Sequence, residues 1–230
     1  MKTALLSVVY FFIAFLFIVL QDQSFFTGGL VIKSLIVPVL MILFMVNLNP
    51  GLNRFHRLMF AGLFFSWSGD IVLEFSHRNG DLFIPGLVCF LIAHLMYFTV
   101  FFITPGKSAI FRNRIYLLIP VILYGSILII YLYNDLAGMC LPVILYSIVI
   151  LSMLAGAINR LKKVNRKSYY LVLAGAILFV LSDSAIAVDK FSYPFESSRV
   201  VIMSTYVMAQ FLIVLGYIKQ FREHPVRKIE

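Results

Sequence analysis

Charge is what this sequence has least of. Only 13% of its 230 residues are Asp, Glu, Lys or Arg, against about 25% in soluble domains. With 62% of residues apolar or aromatic, too little polar side chain is left to cover a water-soluble fold of this length. Acids are scarcer than bases, 10 against 19, and the net charge is +9. A nucleic-acid partner would need Lys and Arg on one continuous soluble face. Here they sit in short loops between apolar runs, so no nucleic-acid binding is expected. The two cysteines, Cys89 and Cys140, fall in or beside apolar runs and have no C-x-x-C spacing. They read as small hydrophobes, with no disulfide, redox or metal role. Histidine is limited to four; the sequence puts His94 within a helix and His56, His77 and His224 in loops. A zinc site needs three or four ligands. Asp70, Asp183 and His94 are chemically able to bind a metal, but nothing in their spacing demands one, and none is expected. There is no G-x-S-x-G elbow, Walker loop or dinucleotide fingerprint, and no cofactor is called for.

What is present is apolar length. Spanning about 30 Å of hydrocarbon takes roughly 20 residues. Eight runs qualify: 3–20, 28–46, 58–75, 82–103, 115–133, 139–158, 169–188 and 200–218. They predict an all-α polytopic bundle forming a single transmembrane domain over residues 1–230, with no room for a soluble domain in the gaps. The first run is longer than a signal-peptide core, and Gln21-Asp22-Gln23-Ser24 after it offers no small-x-small cleavage site; a retained helix is expected. Orientation follows the distribution of Lys and Arg. One side takes Lys2, Arg54, Arg57, Lys107, Arg112, Arg114, Arg160, Lys162, Lys163, Arg166, Lys167, Lys219, Arg222, Arg227 and Lys228; the other takes Arg78, Lys190 and Arg199, a bias of 15 to 3. An even number of spans then places both termini in the cytoplasm, in an inner or plasma membrane.

Ionisable side chains inside a bilayer are costly, and each asks for a reason. Lys33, Asp70, Glu74, His94 and Asp183 fall within the runs, with Asp189 and Lys190 at the end of the seventh. The topology puts them between midplane and outer surface, where Tyr146, Tyr206 and Gln210 also fall, with Ser182 and Ser184 flanking Asp183. Tyr97 and Ser152 are the main polar residues of the inner halves. A polar cavity open toward the outer leaflet accounts for this asymmetry. Lys33 reads either as a ligand or as a residue snorkelling to the headgroups, Glu74 as a site residue or a solvated helix end, and His94 as a site residue or an interhelical hydrogen-bonder. Asp70 and Asp183 are harder to explain structurally, because one methylene gives a mid-helix carboxylate little reach. A Gly also precedes each by eight residues, Gly62 and Gly175, and a parallel 4+4 repeat is compatible with the topology.

Ser68-Gly69-Asp70, then Gly86-x3-Phe90-x3-His94-x2-Tyr97, then Leu178-Phe179-Val180-Leu181-Ser182-Asp183-Ser184, with Tyr206-x3-Gln210 in the last helix, resemble the YhhN family over nearly the whole chain. That family includes animal and bacterial lysoplasmalogenases. The resemblance implies hydrolysis of the vinyl ether of a lysophospholipid, to a fatty aldehyde and glycerophosphoethanolamine or glycerophosphocholine, with water and membrane lipids as further partners. Vinyl ethers hydrolyse in acid, so the site needs one protonated carboxyl and one ionised carboxylate. Two carboxyls in a poorly solvated site split their protonation in this way. Asp70 and Asp183 are the expected catalytic pair, in either assignment. Lys33, Glu74, His94, Tyr97, Tyr146, Ser182, Lys190, Tyr206 and Gln210 are the expected substrate-binding set. A proton-coupled transporter with an intramembrane acidic site is the alternative reading.

Overall fold

A computed structural model of the chain describes residues 2–20, 26–48, 53–76, 78–106 and 114–223. Residues 21–24, His77, Lys107, Arg112, His224, Arg227 and Lys228, used above, lie outside them. The described residues contain no strand and eight long helices: α1 (Lys2–Val19), α2 (Phe26–Val46), α3 (Arg54–Ser76), α4 (Phe83–Phe102), α5 (Ile119–Leu132), α6 (Cys140–Asn159), α7 (Arg166–Ala187) and α8 (Ser198–Glu223). With the short turns that precede three of them, all eight are long and apolar enough to cross a bilayer. The expected all-α architecture is the one found.

Boundaries shift for local reasons. The run at 115–133 splits into a 3-10 turn, Ile115–Leu118, and α5, because Pro120 belongs in a first helical turn. Upstream of α4, the Asn79 side chain accepts from the Asp81 amide at 3.2 Å and starts the turn Gly80–Leu82. One expectation is corrected. His56 is not in a loop: Asn53 Oδ1 accepts from the His56 amide at 2.9 Å, an N-cap that starts α3 at Arg54. The imidazole is buried edge-on to Phe44.

The fold divides into two compact units, Met1–Tyr97 and Phe98–Glu230. In the first, α1 is apolar all round, yet only one side is covered. Tyr10, Ala14 and Phe17 are buried, whereas Leu5, Val8, Phe12, Phe15 and Val19 are exposed along the opposite side. Such a stripe would aggregate in water and is at home in lipid. Between α2 and α3 the connection is polar. Pro38 has no amide to give the carbonyl one turn back, that of Ser34. Trp67, the only tryptophan, donates its indole N–H to Ser34 O at 2.8 Å instead. Glycines admit α4 onto α3. A Cβ at Gly62 would stand 2.4 Å from the Tyr97 ring, and one at Gly69 would stand 2.7 Å from the Phe90 ring.

In the second unit, α7 and α8 form the most extensive helix pair. Gly175 lets the α8 backbone come close: a Cβ there would lie 2.8 Å from the Ala209 carbonyl oxygen. Close backbone approach at small residues is how membrane helices gain packing without a hydrophobic driving force. Asn165 caps α7, accepting from the Ser168 amide at 2.7 Å and donating to Lys219 O at 3.2 Å. At the other end α7 widens into a π turn, Val188–Ser192, closed by the Tyr193 amide on Val188 O at 2.9 Å.

Candidate active site

In the first unit the site residues lie on α2, α3 and α4. Asp70 follows Gly69 directly, so the seat that admits Phe90 also brings α4 alongside the carboxylate-bearing face. Asp70 is 4% exposed, and His94 and Tyr97 are fully buried. Phe90, His94 and Tyr97, at spacings of four and three, share one face of α4. The Gly86-x3-Phe90-x3-His94-x2-Tyr97 pattern is therefore partly a packing device, with Phe90 on Gly69, Tyr97 on Gly62 and Leu73 against Gly86. Tyr10 joins this group: its phenol is within electrostatic reach of both Asp70 and Tyr97. The sequence reading missed it, because an uncharged ring in a Phe-rich run gives no sign of a polar role.

One turn beyond Asp70, Glu74 accepts from Lys33 Nζ at 2.9 Å, with both side chains nearly buried at 13% and 11% exposed. The Lys33 ammonium also lies 5.7 Å from the Phe17 ring centroid. Lys33 and Glu74 are thus committed to each other and largely covered. A buried charge left alone is expensive, and each neutralises the other across α2 and α3.

In the second unit, α7 carries Asp183 with its neighbours turned to different helices. Tyr146 on α6 donates its hydroxyl to Asp183 Oδ2 at 2.5 Å. Tyr124 on α5, a second residue the sequence reading missed, donates to Ser184 Oγ at 2.8 Å. Ser182 is buried and donates to Ile202 O on α8 at 3.0 Å. Tyr206 and Gln210, buried on α8 one turn apart, are joined by a long Gln210 Nε2 to Tyr206 Oη contact of 3.4 Å. The Tyr206 ring stands edge-on to Phe179 at 5.5 Å. Within the π turn, Asp189 accepts from the Phe195 amide at 3.3 Å, and Lys190 is exposed. Each unit thus holds one aspartate in a membrane helix: Asp183 accepts from the Tyr146 hydroxyl, and Asp70 is buried within electrostatic reach of the Tyr10 phenol.

The YhhN family model matches residues 28–217. Similar proteins include the lysoplasmalogenase TMEM86A of Bos taurus, 34% identical over 175 residues, which is 74% of this chain and 68% of that protein. The lysoplasmalogenase TMEM86B of Sus scrofa is 32% identical over 203 residues, 88% of this chain and 80% of its own. A Mycobacterium bovis protein named lysoplasmalogenase is 25% identical over 168 residues, 72% of this chain and 62% of its own. No solved structure matches the chain. The matched span takes in α3, α4, α7 and most of α8, with Asp70, His94, Asp183 and Gln210 among its residues. On that span, this multi-pass membrane protein belongs to the YhhN family.

Proposed function

We propose that the chain hydrolyses the vinyl ether bond of lysoplasmalogens within the membrane, releasing a fatty aldehyde and glycerophosphoethanolamine or glycerophosphocholine. The observation that carries this is the likeness, over most of the chain, to mammalian and bacterial proteins named lysoplasmalogenase. The chemistry of the buried groups supports it. One aspartic acid delivers a proton to the alkene carbon distal to oxygen, leaving an oxocarbenium ion. The other aspartate stabilises that cation and takes a proton from the water that attacks it. The hemiacetal then collapses: its hydroxyl proton is lost, the C–O bond to glycerol breaks, and the glycerol oxygen is reprotonated. One water is consumed, and no cofactor enters the balance.

In this reading Asp70 and Asp183 are the catalytic carboxyls. Tyr146 serves Asp183 rather than the substrate, since its hydroxyl proton is already committed to that carboxylate. His94, Tyr97, Tyr206 and Gln210 supply lining. Lys190, exposed at the end of α7, suits the phosphate of a lysolipid head group. The active site faces the outer half of the membrane and both termini the cytoplasm, following the 15 to 3 distribution of Lys and Arg.

The test is aldehyde release from an alkenyl-lysophosphoethanolamine by the purified chain in detergent, with no gradient present. Wild type should turn over. Asp70→Asn and Asp183→Asn should each lose about a hundredfold or more, the scale of lost general acid catalysis, while inserting and melting no worse, because a neutral amide is cheaper to bury. No aldehyde from folded wild type would sink the hydrolase and leave the proton-coupled transporter. Activity surviving one substitution would return that aspartate to a structural role.

A further inference from the structure

Far from Asp183, about 22 Å down α7 at 1.5 Å per residue, lies a buried cation that the proposed reaction does not use. Arg160, at the end of α6, is 1% exposed. Its Nη2 donates to Ser168 Oγ on α7 at 2.9 Å and to Gln220 Oε1 on α8 at 2.7 Å. The Phe101 ring centroid lies 5.4 Å from Cζ. All of these neighbours are neutral. Among the residues whose side chains are described, up to Phe221 on α8, no carboxylate pairs with Arg160, and its Nε and Nη1 are buried with no hydrogen-bond partner. A guanidinium keeps its charge, and buried charges are normally paired.

The turn that follows is basic and contains no acid: Lys162, Lys163, Arg166 and Lys167 fall between Arg160 and the body of α7. It is also shaped. Lys162 adopts a left-handed φ of 63°. Lys163 packs so closely on Gly106 that a Cβ there would stand 2.8 Å from its own Cβ. Burial pushes the Lys163 ammonium below its usual range, which an anion beside it would reverse. Joining two membrane-spanning helices, the turn lies at headgroup depth, and basic pockets between helices there recognise lipid phosphates.

We propose that the α6–α7 turn binds the phosphate of an anionic membrane phospholipid, with Arg160 as its floor and Lys163 at its rim. The lipid supplies a counter-charge that Arg160 lacks among the residues whose side chains are described, and ties α6, α7 and α8 together at this end. The site stands independently of the hydrolase reading, since it involves none of the residues assigned to catalysis.

Thermal unfolding of the full chain in uncharged detergent tests this, with phosphatidylglycerol, phosphatidylcholine or inorganic phosphate added. Phosphatidylglycerol should raise Tm above the phosphatidylcholine value by about 5 °C, the scale expected for a ligand well above its Kd. Lys163→Ala, a partly buried rim residue whose loss leaves the fold intact, should remove at least half of that shift. Arg160→Lys should do the same if it folds, whereas the exposed Lys167→Ala should retain the shift. Equal Tm in the two lipids would overturn the site. So would a shift undiminished in Lys163→Ala, and an equal effect of inorganic phosphate would overturn its assignment to a lipid.

Discussion

Tyr146 shows how much a single hydroxyl can decide. From sequence it is a tyrosine at the right depth to touch substrate; in the fold its hydroxyl donates to Asp183 Oδ2 at 2.5 Å. A residue that acts through another leaves a kinetic signature different from one that binds. Tyr146→Phe should lower kcat by roughly tenfold or more, the scale of one hydrogen bond to a charged group, with KM unchanged. Steady-state kinetics on the alkenyl-lysolipid read this directly. A raised KM at constant kcat would put the Tyr146 hydroxyl on the substrate after all. Lys33 and Glu74 make the same point from the other side. Each stands alone in the sequence, whereas in the fold the two atoms are 2.9 Å apart and nearly buried. Their sequence separation of 41 residues explains why no local pattern joined them.

At the scale of the element, helices were easy to place and their faces were not. Apolar runs average over twenty residues, so a few polar interruptions do not hide a span. Helix ends depend on single caps, which is why Asn53 moves the start of α3 and brings His56 inside it. The link between Pro38 and Trp67 belongs here too, because a proline inside a helix leaves a carbonyl without its backbone donor. Trp67→Phe leaves the Ser34 carbonyl without its indole partner and should cost about 1–2 kcal/mol. If that bond is the cause, most of the cost vanishes in a Pro38→Ala background, where the backbone amide at that position returns. A double-mutant cycle by thermal unfolding checks it, and an undiminished cost in that background would assign the loss to ring packing instead. In each unit, the glycine eight residues before the aspartate marks a close approach of the following helix, Tyr97 on Gly62 and the α8 backbone on Gly175. That shared local device explains the spacing without requiring the two halves to be a repeat.

For the whole molecule, the decisive quantity is how much apolar surface stays uncovered. Ile130 is 73% exposed, and Leu5, Val8, Ile115, Ile127 and Leu141 each 66%, an arrangement stable only with lipid as solvent. The described residues hold eight helices able to span a bilayer, an even count, and the proposed cytoplasmic side is that of the basic loops. Reporter fusions after Lys163 and at the C-terminus should therefore report cytoplasm, and one after Asp135 the opposite side. A cytoplasmic signal at Asp135 would break the proposed topology.

The sequence by itself determined membrane residence, the helical class, the number of spans and the presence of two aspartates within them. These follow from sums over a run or from the cost of a single buried charge, and both are local quantities. Tertiary structure alone decided which side of each helix is covered, and with what. In α1, buried Tyr10, Ala14 and Phe17 and exposed Leu5, Val8, Phe12 and Phe15 are alike in hydrophobicity, so no period separates them. The partners of Lys33, Trp67, Tyr146 and Arg160 lie on other helices, 41, 33, 37 and up to 60 residues away. Lipid solvates every face of such a helix equally well. The few polar contacts and glycine seats that choose among those faces are therefore visible only when the helices are packed.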